Sequence, residues 1–256
     1  LREPKTGCPW DLQQTYVSIT PSTIEEAYEV VDAIETGDFD HLKEELGDLL
    51  FQVIFYAQLG AEEVRFDFAS IVSDLVAKLI RRHPHVFPAG TLDSRVTDED
   101  AHNEIDIKAR WEQLKQQERV SKGKTRALAD VPINLAALSR AQKLQKRTAN
   151  SGFDWPNIQG PLAKVEEELV EVRAALASGN IDEVAEEIGD LLFAVVNVSR
   201  HAKIDAESAL RRGSHKFEQR FNYVEAQLQA AGSSLELATL EQMDELWEAA
   251  KANEKG

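Results

Sequence analysis

The chain has 256 residues, 43% of them hydrophobic, and a formal net charge of −16. That length and apolar content suit one large or two modest globular cores and exclude a disordered chain. The acidic balance argues against a nucleic-acid or anionic-membrane binder, because no broad cationic surface replaces phosphate counterions.

One cysteine, Cys8, allows no internal disulfide and fits a reducing compartment. No run of 18 or more apolar residues occurs, and the start "LREPKTGCPW" is no signal peptide. The expected compartment is the cytoplasm. The first residue is Leu1, and the natural N-terminus is expected upstream of it.

With 13 Gly and 8 Pro and abundant Ala, Leu, Glu and Gln, the composition favours helix. Residues 1–22 show no helical period. Ser22 or Thr23 is the expected N-cap of a helix entered at Ile24 and stopped at Gly37. A second helix is expected over 40–60 and a third over 66–82, ended by "HPHVFP" at 83–88. His83 and His85 read as a capped helix end. After a polar loop, another helix is expected over 98–117, containing Trp111. Residues 118–132 form the best linker candidate, dividing the chain into an N-terminal domain (1–117) and a C-terminal domain (133–256).

The second half opens with a helix near 134–150 and a turn at 151–160. An acidic hairpin follows from Pro161 to His201, turning at Gly179 and Asn180. A long amphipathic helix at 205–232 and a last helix at 240–255 complete the chain. No period-two strand pattern persists, so the expected class is all-α, built as two tandem helical bundles.

Two carboxylates three apart, Glu168 and Glu171, lie on one face of the hairpin's first helix, and Glu187 and Asp190 on one face of its second. Leu162, Val165, Leu169, Val172 and Leu176 form one apolar stripe; Val184, Ile188, Leu191, Leu192 and Val195 form the other. Each helix carries its acids one before and two after a stripe position, Leu169 or Ile188. Packing stripe on stripe is therefore expected to gather four acids at the edge of a dry core. Unpaired carboxylates so placed raise one another's pKa values. A divalent cation relieves that conflict, and hard oxygen ligands suit Mg²⁺ or Mn²⁺.

One Glu-x-x-Glu pair is ordinarily a solvated helix face. Here the pattern recurs: Glu26, Glu29, Glu45 and Asp48 stand 142 positions before the four acids above. Over 25–53 against 167–195, 15 of 29 positions are identical, too many for helical composition alone. Lys78 and Arg82 correspond to Lys216 and Arg220, a basic pair four apart on one helical face. Gly47 and Gly189 lie inside their helices, which suggests close helix–helix approach there.

Together with "GCPWD" (7–11), "RRHPHVF" (81–87) and "GFDW" (152–155), these repeats resemble the MazG family. Those are nucleoside triphosphate pyrophosphohydrolases of the all-α NTP pyrophosphatase superfamily. The resemblance covers nearly the whole chain. It implies Mg²⁺-dependent hydrolysis of an NTP or dNTP to the monophosphate and pyrophosphate. It also implies a homodimer and a housekeeping role in removing aberrant nucleotides or tempering stress signalling.

By the same resemblance, Glu168, Glu171, Glu187 and Asp190 are the catalytic metal ligands. Lys164, Lys216, Arg220 and Trp247 fall at phosphate or nucleotide contacts, and Trp155 and Trp247 are candidates to stack on a base. The first copy keeps metal-binding acids at Glu26, Glu29, Glu45 and Asp48, yet the second resembles the main catalytic unit. Ser22 stands where the second copy has Lys164, and Thr20 where it has Leu162.

A non-enzymatic acidic scaffold that dimerises is the alternative, but it leaves the repeated acid flank unexplained. A di-iron carboxylate oxidase needs Glu-x-x-His twice, and only Glu99 to His102 has that spacing.

Overall fold

The computed structural model describes residues 1–94 and 126–253, with positions 111, 114, 115, 117, 118, 121 and 123 between them. Among these residues the regular elements are nine helices, and no strand occurs. The chain divides into two compact units, Leu1–Glu118 and Arg119–Gly256. The helix expected over 98–117 and the Glu99–His102 pair lie outside the described residues, apart from those isolated positions.

The first unit opens with a short helix α1 (Pro9–Gln13) inside a stretch that reads as irregular. Five residues are too few to show a period. Helix α2 (Thr20–Thr36) starts earlier than Ile24 and uses neither Ser22 nor Thr23 as its cap. Pro21 sits in its first turn, where a missing N–H costs nothing and the fixed φ already suits a helix. The Thr23 hydroxyl instead bonds the Ile19 carbonyl at 3.1 Å and lies 2.9 Å from the Tyr56 hydroxyl.

Gly37, at φ 76°, ends α2 in the left-handed region, and Asp38 caps α3 (Phe39–Glu62) through the His41 N–H. Helix α4 (Phe68–Arg82) begins with a capping box between Asp67 and Ser70. Ile19, Phe55 and Leu59 form the unit's core, joined by Tyr16 and Tyr56, whose rings stack at 6.1 Å.

In the second unit, α5 (Ala137–Ala149) lies against α7 (Ile181–His201) and α8 (Ala206–Ala230). Two glutamines fasten it. Gln145 donates to the Phe193 carbonyl at 2.8 Å, and Gln142 donates to the Ile204 carbonyl while accepting from the Ala206 N–H, both at 2.9 Å. Helix α6 (Gln159–Ser178) and α7 make the hairpin, turning at Gly179 (φ 75°) with Asn180 as the next cap. Helix α9 (Leu240–Asn253) folds back on α8. Val131 is buried and Asp130 pairs with Arg147 at 3.3 Å, so this part of the stretch before α5 packs with the second unit.

The hairpin closes on a different face from the one expected. Val172 and Val184 of the two stripes are buried, but Leu162, Leu169, Leu176, Ile188, Leu192 and Val195 are exposed. The buried positions of α6 are instead Pro161, Glu168, Val172 and Ala175; α7 buries Val184, Ala194, Val196 and Asn197. Two of these buried positions, Ala175 and Ala194, carry small side chains. The leucine face remains uncovered within the unit. The first unit repeats this pattern, burying Ala33 and Glu45 while Ile34, Leu46 and Leu50 stay exposed.

One ion-pair network ties the segment before α6 to the end of α7. Arg200 grips the Asp154 carboxylate with both terminal nitrogens, His201 Nε2 lies 3.0 Å from it, and the Trp155 N–H donates to it at 2.9 Å. The Arg200 hydrogen bond is the main reason that Asp154 is held at a pKa of about 2, below its ordinary 3.8. A depressed acid stabilises the fold above its unfolded pKa and loses that contribution as pH falls through the folded one. Asp154→Asn is therefore expected to cost at most about 2 kcal/mol at neutral pH and only a small part of that near pH 2. Urea melts of both proteins between pH 2 and 7 check this, and parallel curves would remove Asp154 from the account of acid stability.

Candidate active site

Helix α6 carries Lys164, Glu168 and Glu171 on successive turns, and α7 carries Glu187 and Asp190. One oxygen each from Glu168, Glu171 and Glu187 lies within 4.8 Å of the others. Glu168 is 3% exposed, Glu187 half-buried and Glu171 exposed, so the cluster runs from the hairpin seam to solvent. Lys164 Nζ sits 2.7 Å from Glu168 Oε1 and 2.8 Å from Glu167 Oε1. The other oxygen of Glu168, Oε2, is buried and receives no hydrogen bond.

The electrostatics follow from this crowding. Partial desolvation is the first cause of a raised pKa at Glu171, followed by the proton that it can share with Glu168 when protonated and by Glu168's charge. Desolvation likewise leads at Glu187, with the charges of Glu168 and Asp190 next. Lys164 is held more firmly protonated by its hydrogen bonds to Glu167 and then Glu168. Asp190 thus acts on the cluster as a neighbouring charge, outside the set of three close oxygens.

The first copy builds the same object. Glu26, Glu29 and Glu45 each place an oxygen within 4.8 Å of the others, and Asp48 again contributes as a nearby charge. The Glu26 pKa is raised, first by desolvation and then by Asp48 and Glu29. Here the most buried acid is Glu45, on the second helix, 8% exposed, and His41 Nε2 lies 3.2 Å from it. Gln52 donates to Glu26 at 3.4 Å.

Neither His41 nor Gln52 stands out in the sequence, although His41 precedes Glu45 by four, a spacing that puts both on one helical face. The basic pair also differs between copies. Arg82 is bound by Glu118 at 2.5 Å, beside Arg81 at 2.8 Å, and these bonds hold Glu118 at a pKa of about 2.

The remaining expected contacts fall into two places. Arg220 lies over the Trp247 ring, its guanidinium carbon 5.5 Å from the centroid, and Phe217 packs on the same ring at 5.1 Å. These residues join α8 to α9, with Lys216 exposed on α8. Trp155 lies across the start of α6. A Cβ at Gly160 would fall 2.0 Å from the indole, so glycine is what admits it there.

A buried carboxylate oxygen with no donor, beside two further carboxylates, is an arrangement that a hard divalent cation satisfies. All the close donors are oxygens, which fits Mg²⁺ or Mn²⁺ better than a soft metal.

Comparison with known proteins bears on the same segments. Residues 14–87 and 158–225 match the MazG nucleotide pyrophosphohydrolase domain. The chain is 49% identical over 256 residues to the nucleoside triphosphate pyrophosphohydrolase of Escherichia coli (strain K12), covering 99% of this chain and 94% of that protein. It is 40% identical over 255 residues to the nucleoside triphosphate pyrophosphohydrolase/pyrophosphatase MazG of Thermotoga maritima, covering 100% of this chain and 93% of that one. It is also 41% identical to the uncharacterized protein YabN of Bacillus subtilis, spanning 50% of that protein's length. Both acid hairpins fall inside the matched segments, and the chain belongs to the MazG family.

Proposed function

We propose that the chain hydrolyses nucleoside triphosphates, NTP or dNTP, to the monophosphate and pyrophosphate, using Mg²⁺ or Mn²⁺ held by Glu168, Glu171 and Glu187. The observation that carries this reading is the buried Glu168 oxygen without a donor inside a cluster of three acids. Asp190 adds negative potential at the same place. A divalent cation there would screen the triphosphate's charge and polarise its phosphorus–oxygen bonds.

The residues of the chain then bind and orient. Water attacks the α-phosphorus, the bond to the bridging oxygen breaks, and pyrophosphate leaves. Lys164 supplies positive charge at the cluster's mouth, while Lys216 and Arg220 neutralise the β- and γ-phosphates. Trp247 or Trp155 offers a face to the base, worth roughly 1 to 3 kcal/mol. In the first copy Glu26, Glu29, Glu45 and Asp48 keep the acidic pattern, but Ser22 replaces the lysine and Gln52 already donates to Glu26. Turnover is therefore assigned to the half at 133–256, behind a connecting stretch at 118–132.

Product analysis with mixed NTPs and dNTPs and Mg²⁺ tests the reaction. Monophosphate plus pyrophosphate is the expected outcome. Diphosphate plus phosphate would refute the chemistry, and no turnover would leave a dimerising scaffold.

A homodimer accounts for the uncovered leucine faces, since a stripe of this size is ordinarily buried by association. Helix propensity supplies a test. A Cβ added at Gly47 or Gly189 meets nothing within 4 Å, so the close approach expected at these glycines does not occur within the chain. Gly189 lines an apolar groove with Leu138, Leu144, Leu192 and Phe193.

Gly189→Ala is expected to stabilise the separated protomer by about 0.5–1 kcal/mol while weakening the dimer roughly tenfold. Sedimentation of both proteins over a range of concentrations measures this. A wild-type chain that stays monomeric at high concentration would end the dimer reading.

No described helix is long and apolar enough to cross a membrane. With its single free Cys8, the chain is assigned to the cytoplasm, where removal of aberrant nucleotides is its proposed role.

A further inference from the structure

In each copy, a basic side chain stands on whichever acid is most buried, although the two copies bury different acids. In the second copy the buried acid is Glu168 on α6, and its partner is Lys164, four residues earlier on the same helix. In the first it is Glu45 on α3, and its partner is His41, four residues earlier on that helix.

Neither basic residue has a counterpart in the other copy. Ser22 occupies the position equivalent to Lys164. Glu183, equivalent to His41, is turned to the hairpin bend, where it accepts from Asn180 and Ser178 at 2.9 and 3.0 Å. A buried carboxylate without a partner is costly, so a basic side chain recurring on the buried acid, from positions that do not correspond, points to a common need.

Lys164 differs from His41 in two respects. Its charge is permanent at neutral pH, and its side chain is 37% exposed on a flexible stem with a second partner, Glu167, towards solvent. A divalent cation entering the cluster needs the Glu168 oxygens, one of which Lys164 now holds. The two cations also repel each other. The displaced ammonium is then left beside a site whose substrate is a polyanion.

We propose that Lys164 is the counter-cation a divalent metal displaces from Glu168, and that this exchange couples metal binding to capture of the triphosphate. The inference rests on the metal and substrate reading above. Metal alone binds against the Lys164–Glu168 pair. The triphosphate gives the released ammonium a new partner, so each ligand raises the affinity for the other, reciprocally. Ser22 gives the first copy no such coupling.

Calorimetric titration of Mn²⁺ into the full chain tests this. Glu45→Gln is included throughout, so that only the second cluster reports. Lys164→Met is expected to bind Mn²⁺ alone about tenfold more tightly than the parent. It should also lose most of the gain in Mn²⁺ affinity that α,β-methylene ATP, which resists cleavage at the α-phosphorus, produces in the parent. Lys164→Arg keeps the charge and should bind Mn²⁺ like the parent.

Thermal melts supply a second readout: without metal, Lys164→Met should melt below the parent, because Glu168 is left buried and unpaired, and Mn²⁺ should close the gap. Unchanged Mn²⁺ affinity in Lys164→Met, or a tenfold tightening of Mn²⁺ alone in Lys164→Arg as well, would overturn the exchange while leaving the metal site standing. Absence of Mn²⁺ binding in parent and variants alike would overturn the metal reading with it.

Discussion

Glu168→Gln is expected to reduce pyrophosphohydrolysis by at least about 10³-fold, the loss of several kcal/mol of charge stabilisation at the reacting phosphate. The same change should make the metal-free protein more stable. Glu168 is buried, its Oε2 has no donor, and its charge raises the pKa values of both Glu171 and Glu187. A glutamine there keeps an acceptor for Lys164, offers an N–H to Glu171, and removes one charge from the cluster.

The expected gain is about 1 kcal/mol, or roughly 2 to 4 °C in melting temperature for a chain of this size. Differential scanning calorimetry with EDTA, and then with Mg²⁺, separates the two effects. The variant should melt higher with EDTA and respond little to Mg²⁺, whereas the parent should be stabilised by it. A variant that is inactive because it has unfolded would melt lower in both conditions, and Glu168 would then be structural.

The second large contrast lies between the copies. Glu187→Ala is expected to abolish turnover, again by about 10³-fold or more, while Glu45→Ala should leave kcat within about threefold of the parent. Two observations set the copies apart. Lys164 is replaced by Ser22, and Glu26 already accepts from Gln52, whereas the second copy has Ala194 at the position of Gln52. Steady-state assays of pyrophosphate release on both variants decide the matter. Equal loss from both changes would mean two working or strictly coupled sites, and loss from Glu45→Ala alone would reverse the assignment.

Much of this arrangement is legible in the residues. Gly37 and Gly179 mark the hairpin turns, because a left-handed φ after a helix selects glycine. The three-residue spacing of the acids places Glu168 with Glu171, and the 142-residue repeat shows that the pattern is not a chance of composition. The all-α class follows from the same periodicity.

What the periodicity does not carry is the identity of the surface that meets each stripe. Leu169 and Ile188 mark an apolar face equally well whether the hairpin buries it or leaves it for another molecule. The structure buries Ala175 and Ala194 together with Glu168 and leaves the leucines exposed. The start of α2 differs from the expected one for a local reason. Ser22 and Thr23 are good caps, but Pro21 is compatible with the first turn and lets α2 begin before them. The basic partners of the buried acids do not show in the repeat because they come from different positions in the two copies.

Each acid cluster is assembled by two helices adjacent in the chain, joined by only Gly37 and Asp38 or by Gly179 and Asn180. Such short-range connectivity places these hairpins among the fast-forming elements of protein folding. Like charges therefore converge early, before distant packing can compensate them. His41 and Lys164 lie within the same hairpins as the acids they contact, so each hairpin emerging from a ribosome carries its own partner for the acid it buries.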